Sequence, residues 1–274
     1  MKYCVNSRQP KDILEKADEM FVEARDYRII PDLFIKYPDK TIILEYKNDV
    51  TDSVIKNYSE ANPENFVVKL HFLSPERIAF CKENNIKFYY AYPCTTWFEV
   101  NSLKDIGVEY ILIQEPLTFD IPKLALENQK FRMVPNVAYA AYIPRKDGLH
   151  GQWVRPEDVK YYEPGITVFE FEDADLVKER TLFHIYAENG YWPGNLNLLF
   201  TNFGIDVDNR LLMENIGKQR SECKQRCETR GTCHYCDLNI KFHNVLQERR
   251  EEILELKEKQ DKEKEEQNPS EDAN

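Results

Sequence analysis

Glycine is scarce in this 274-residue chain, which has nine, and none of them falls in a G-x-G-x-x-G or Walker pattern. Nucleotide binding through a glycine-rich phosphate loop is therefore not expected. Long apolar runs are also missing. No stretch approaches the roughly 20 residues that span a bilayer, and Met1-Lys2-Tyr3-Cys4-Val5-Asn6 does not begin the basic start and apolar centre of a signal peptide. The expectation is a cytoplasmic protein with no membrane contact. A G-x-S-x-G nucleophile elbow is absent, and His184 and His243 have no evident Ser or Cys partner, so nucleophilic hydrolysis lacks support. Positive charge is in deficit: 37 Lys and Arg against 48 Asp and Glu leave −11. That balance argues against a broad, sequence-independent grip on nucleic acid, which rests on clustered cations.

What the chain does have is 42% hydrophobic residues, enough for a substantial core. Short β-branched or aromatic runs alternate with amphipathic helical stretches. The strands are expected at Tyr3 to Asn6, Thr41 to Tyr46, Phe66 to Phe72, Lys87 to Tyr92, Glu109 to Gln114, Phe131 to Val137, Ile166 to Phe171 and Leu196 to Phe200. Helices are expected over Pro10 to Ala24, Val50 to Glu60, Pro75 to Asn84, Trp97 to Ile106 and Ile121 to Asn128, with Ser74 and Asp120 as N-terminal caps. Tyr27 to Tyr37 has room for one more strand. The third to sixth runs start about 21 to 23 residues apart, which leaves space for one strand, one short helix and two tight loops. Such spacing favours parallel βα units, and eight of them close into a (β/α)8 TIM-like barrel.

The barrel is expected over residues 1–210, followed by a Cys-rich metal-binding segment, 211–247, and a charged helix and disordered tail, 248–274. From Glu248 to Asn274 there are eleven acidic and six basic residues and a weak apolar stripe, too polar to fold alone. That stripe offers a helix through which a protein partner could be recruited. The densest local signal precedes it: Cys223-x3-Cys227-x5-Cys233-x2-Cys236. Four thiolates so close repel one another unless a cation stabilises them, so a tetrahedral zinc site or an iron–sulfur cluster is expected, with disulfides and free thiols as the less favoured alternatives. The polar setting favours zinc. Cys4, Cys81 and Cys94 are scattered and are expected as small buried residues.

Strand parity points to a second site. Side chains alternate across a strand, so Val67, Lys69 and His71 share the face opposite Phe66, Val68, Leu70 and Phe72. The same parity groups Ile43, Glu45 and Lys47, and Val168, Glu170 and Glu172. Charged groups therefore point toward the barrel axis, where branched apolar side chains usually fill the space. Glu45, Lys69 and Glu170 either satisfy one another or, with Asn6, Gln114 or Glu115, and Asn136, frame a ligand or active site at the C-terminal mouth. His71 suits a general acid or base near neutral pH, and Glu45, Glu115 or Glu172 a base or the ligands of a second metal. Between the sixth and seventh expected strands, a longer insertion, Ala138 to Pro164, carries Trp153 and Arg155 as candidates for contacting a ligand, or forms a turn into a short helix near Arg155-Pro156.

The βα run followed by Cys223-x3-Cys227 and then Arg230-Gly231-Thr232-Cys233-x2-Cys236 resembles the collagenase-like peptidase (peptidase U32) family, whose members carry a cysteine cluster with an R-G-x-C element. The resemblance implies a 4Fe-4S cluster on Cys223, Cys227, Cys233 and Cys236. It also implies participation in hydroxylation of RNA or of small-molecule precursors rather than proteolysis. This chain departs from the family in compressing all four cysteines into one short segment.

Overall fold

The computed structural model describes residues 1–114, 117–135, 154, 156–171 and 180–188, together with Glu255, Glu258, Lys259 and Lys262. The described residues within 1–135 and 156–188 belong to one compact unit. Eight parallel strands close in it: β1 (Lys2–Asn6), β2 (Glu19–Val22), β3 (Thr41–Tyr46), β4 (Phe66–Leu70), β5 (Lys87–Tyr90), β6 (Tyr110–Ile113), β7 (Lys130–Met133) and β8 (Val168–Glu170). Each pairs with the next and β8 returns to β1, with Cys4 opposite Glu170 on one side and Glu19 on the other. The chain is thus a closed (β/α)8-type barrel, as the spacing predicts.

Two strand positions differ from expectation. The barrel closes without Leu196 to Phe200, which lies outside the described residues. Its eighth member is instead β2, inside the stretch expected to be one helix from Pro10 to Ala24. Ile13, Leu14, Ala17, Met20 and Phe21 do repeat at helical spacing, but the helix ends early: α1 covers Lys11–Lys16, and Ala17 turns to extended backbone at φ −72° and ψ 148°. Backbone pairing explains the break. Asp18 N–H donates to Tyr3 O (2.9 Å) while Tyr3 N–H donates to the Asp18 carboxylate (2.9 Å), seating the next four residues beside β1. Tyr27 to Tyr37 forms no strand; it holds a 3-10 turn (Ala24–Ile29) and α2 (Ile30–Lys36).

Four of the remaining helices fall close to the expected places, α3 (Asp52–Ala61), α4 (Pro75–Glu83), α5 (Trp97–Ile106) and α6 (Ile121–Ala125), and a further one, α7 (Arg180–Ala187), is not among those expected. Ser74 caps α4 by accepting from Arg77 N–H (3.2 Å). Asp120 makes no such side-chain bond to α6. A full capping box starts α5, with Thr96 and Glu99 bonding reciprocally, and Gly107 ends it in the left-handed region at φ 78°. Helix α7 packs on the outer wall through Phe183 and Tyr186, both fully buried against Phe171. A short 3-10 helix, Pro156–Tyr161, begins where the turn near Arg155-Pro156 is expected.

Parity is as expected. Cys4, Ile43, Val67, Tyr89, Tyr110 and Val168 form one buried cluster with Phe21 against it. The outward residues of β4, Phe66, Val68 and Leu70, are buried. Cys4, Cys81 and Cys94 are free and buried, as expected for scattered cysteines. The four described positions near the C-terminus, Glu255, Glu258, Lys259 and Lys262, are helical and exposed. No described helix is long and apolar enough to cross a membrane.

Candidate active site

Of the residues singled out for chemistry, Glu45, Lys69, His71 and Glu170 lie in the barrel, and of the neutral residues grouped with them Asn6 ends β1 and Gln114 directly follows β6. Glu115, Glu172, Asn136, Trp153, Arg155 and the four cysteines Cys223, Cys227, Cys233 and Cys236 lie outside the described residues. The four barrel residues divide into two groups with different chemistry.

Lys69 and Glu170 belong to a charge network across the barrel interior. Lys69 Nζ donates to Glu170 Oε1, and its ammonium also stands over the Phe21 ring at 4.7 Å. Arg132 on β7, fully buried, donates from Nε to Glu170 Oε2 (3.2 Å) and from Nη1 to Glu19 Oε2 (2.6 Å). Its guanidinium lies between aromatic faces, 4.8 Å from the Tyr89 ring and 5.0 Å from that of Tyr110. Tyr89 Oη adds a donor to Glu170 (3.4 Å). Two carboxylates and two cations thus neutralise one another, the condition for keeping charges out of water. Burial raises the Glu170 pKa, but Lys69 and then Arg132 outweigh it and hold the carboxyl at about 2. For Arg132 burial works against the charge, and Glu19 is the largest of the influences that keep its pKa above the ordinary value.

Glu45 and His71 form the second group, at the C-terminal ends of β3 and β4. Glu45 Oε2 accepts from Ala24 N–H (3.1 Å), a donor presented by the turn after β2. Its other oxygen, Oε1, meets Lys47 Nζ at 2.7 Å and His71 Nε2 at 2.6 Å. The His71 contact is an ion-pair contact off the axis of a linear hydrogen bond. Tyr92 supports the ring edge-on, with centroids 6.0 Å apart. Burial raises the Glu45 pKa, but Lys47, Ala24 N–H and His71 together bring it below the ordinary value. The His71 pKa is lowered, chiefly by burial and also by Lys47 and Lys69 against the opposing pull of Glu45. With 22% of its side chain exposed, His71 remains open to the solvent side of the mouth.

Arg132 and Glu19 escape the sequence reading. Arg132 has the inward parity of Asn136 on the same run, so the alternation rule reaches it. Glu19 was hidden because β2 reads as helix. The buried cysteines offer no nucleophile: burial pushes the Cys94 thiol up to about 11 and the Cys81 thiol to about 12. Among the described residues no group of three or more His, Cys, Asp and Glu side chains is arranged to hold a metal ion.

No family model and no curated protein matches the chain. Several solved structures resemble it in backbone course. A 4-hydroxy-2-oxoglutarate aldolase/2-deydro-3-deoxyphosphogluconate aldolase from TTHB1 is 12% identical, with 68% of this chain and 92% of that one covered at a TM-score of 0.42. A structure described as native KDPGal is 10% identical over 74% of this chain and 96% of its own, with a TM-score of 0.43. The KDPG aldolase from Legionella pneumophila, captured with pyruvate as a covalent carbinolamine, is 12% identical over 68% and 91%, with a TM-score of 0.39. At such identity and superposition no residue role transfers to this chain.

Proposed function

We propose that the protein is an enzyme whose barrel mouth performs acid–base chemistry on a small polar or RNA-derived substrate, with His71 as the proton-transferring group and Glu45 as its partner. The observation that carries this reading is the 2.6 Å contact between His71 Nε2 and Glu45 Oε1 at the strand ends, where barrel enzymes place their chemistry. A carboxylate fixed by a backbone N–H and backing a partly exposed imidazole is the usual way to orient a catalytic histidine. Glu115, Glu172, Asn136, Trp153 and Arg155 are the further mouth residues proposed to meet substrate. The four-cysteine segment is proposed to carry one metal centre, zinc or a 4Fe-4S cluster, on the strength of its donor set alone. Thiolate donors suit both.

The test is turnover. Protein purified without oxygen is incubated with ribonucleosides, short RNA and small hydroxy and oxo acids, and products are followed by mass spectrometry. A product whose formation His71→Ala reduces strongly and Glu45→Gln to a lesser degree, with the fold intact, supports the enzyme. Metal, iron and acid-labile sulfide are assayed on the same sample.

A second reading is favoured by the Lys69–Glu170–Arg132–Glu19 network: a barrel whose interior charges only satisfy one another and which serves as a binding module, its C-terminal helix recruiting a protein partner. In that case the same two substitutions alter stability and leave no activity to lose.

A further inference from the structure

Lys47 reaches the Glu45–His71 pair and has no role yet in the enzyme reading, on which the inference drawn from it rests. Its ammonium and the His71 ring converge on a single oxygen, Glu45 Oε1, at 2.7 and 2.6 Å, while Oε2 is taken by Ala24 N–H. Nε2 lies 2.6 Å from Oε1 off the line of a hydrogen bond, and a lone pair on Nε2 would add repulsion at that distance, so the tautomer that carries the proton on Nε2 is favoured. Glu45 is held ionised by Lys47 and by the Ala24 amide, hence the proton belongs to His71 Nε2.

We propose that Lys47 is a positioning residue, and that by sharing Glu45 Oε1 with His71 it keeps the ring a neutral Nε2–H tautomer whose Nδ1 takes the first proton from the substrate. The charge arithmetic supports this. A lone carboxylate beside an imidazole favours the imidazolium, the form that can only donate. A second cation on the same oxygen offsets that pull, and Lys69, further down the inner face of β4, adds to it. Tyr92, which packs on the ring from beyond β5, contributes no charge in its phenol form. The ring is therefore neutral near pH 7 and ready to accept. In the step itself, the substrate X–H bond breaks, its proton goes to Nδ1 and its electron pair stays on X. The imidazolium so formed is stabilised by Glu45, and it returns the proton later in the cycle. The class of reaction this fits starts with removal of an acidic proton rather than with protonation of a leaving group.

The test is a ring-nitrogen NMR titration of the full chain, with the His71 signals assigned by their loss in His71→Gln. The expected result is the Nε2–H tautomer at neutral pH and a titration midpoint below that of an ordinary histidine. That midpoint moves upward in Lys47→Met and stays near the parent value in Lys47→Arg. An Nδ1–H tautomer, or a midpoint unmoved by Lys47→Met, overturns the proposal. Because the measurement reads protonation and not turnover, its failure is separable from a failure to find activity.

Discussion

Arg132 and Glu19 meet inside the barrel at 2.6 Å, both without solvent exposure, and Arg132 carries a second contact to Glu170 at 3.2 Å. The charge of the guanidinium is met by carboxylates from β2 and β8 and its faces by the Tyr89 and Tyr110 rings, while its Nη2 meets no hydrogen-bond partner among the described residues. Removing it strands the Glu19 carboxylate and leaves Glu170 with Lys69 alone. Arg132→Met is expected to destabilise the protein by about 3–5 kcal/mol, the usual cost of stranding a buried charge. Urea unfolding followed by circular dichroism checks this. A double variant that also carries Glu19→Gln should recover part of the loss, since Glu19 is the carboxylate that the first change strands, while Lys69 still answers Glu170.

How far the sequence led to this network depends on one rule and one failure of it. Alternation along β4 and β8 put Lys69 and Glu170 on the inner face, because those strands have a continuous apolar outer face, Phe66, Val68 and Leu70 in the first, that fixes the parity. The same rule extends to Arg132, whose outward neighbours Phe131 and Met133 are buried. Glu19 was beyond it. Its strand is four residues long and follows a helix whose apolar spacing runs on without interruption through Met20 and Phe21, so local periodicity favoured the wrong element. Only a long-range contact, the Asp18–Tyr3 pairing, decides the matter, and no short window contains it. His71 with Glu45 was reachable by parity, but the third partner on that carboxylate, Ala24 N–H, depends on the unseen turn after β2.

Acid should act on the same network. The Glu170 pKa is lowered from 4.5 to about 2 in the folded protein. A group whose folded pKa is depressed contributes stability that is fully present above its unfolded pKa and is lost as pH falls through the folded one. The window is therefore from about 4.5 down to about 2. Unfolding free energy measured across that window should fall with pH in the parent and fall less steeply in Glu170→Gln. Equal slopes would show that the carboxyl is not held by Lys69 and Arg132 as described.

Two glycines distinguish space from backbone strain. A Cβ built on Gly165 would stand 2.9 Å from Ile121 O and 2.9 Å from Leu124 Cβ, where α6 packs close to the chain entering β8. Gly107 meets nothing within 4 Å, but its φ of 78° disfavours any side chain. Gly165→Ala is expected to cost about 1–3 kcal/mol through overpacking against helix backbone, and Gly107→Ala about 1 kcal/mol through the left-handed conformation alone. Thermal unfolding of the two variants should rank them in that order.

The mouth makes a prediction about rate and pH together. If His71 accepts a proton from the substrate, only the neutral ring works, and burial sets its pKa below 6.5. Activity on whatever substrate the screen yields should rise with pH through that lowered midpoint and then level, because above it the ring is already neutral. The sign is opposite to that of a general acid, whose activity would fall over the same range. His71→Ala should reduce kcat/KM by roughly 10²–10⁴-fold, the range for a positioned acid–base group, with no change in unfolding free energy comparable to that of Arg132→Met. Glu45→Gln should lose less than His71→Ala, since the amide can still accept a hydrogen bond from Nε2–H but no longer stabilises the imidazolium. A profile that falls with rising pH, or a His71→Ala protein as active as the parent, would take the proton-accepting role away from His71 and leave the barrel's ion network as the better account of its polar interior.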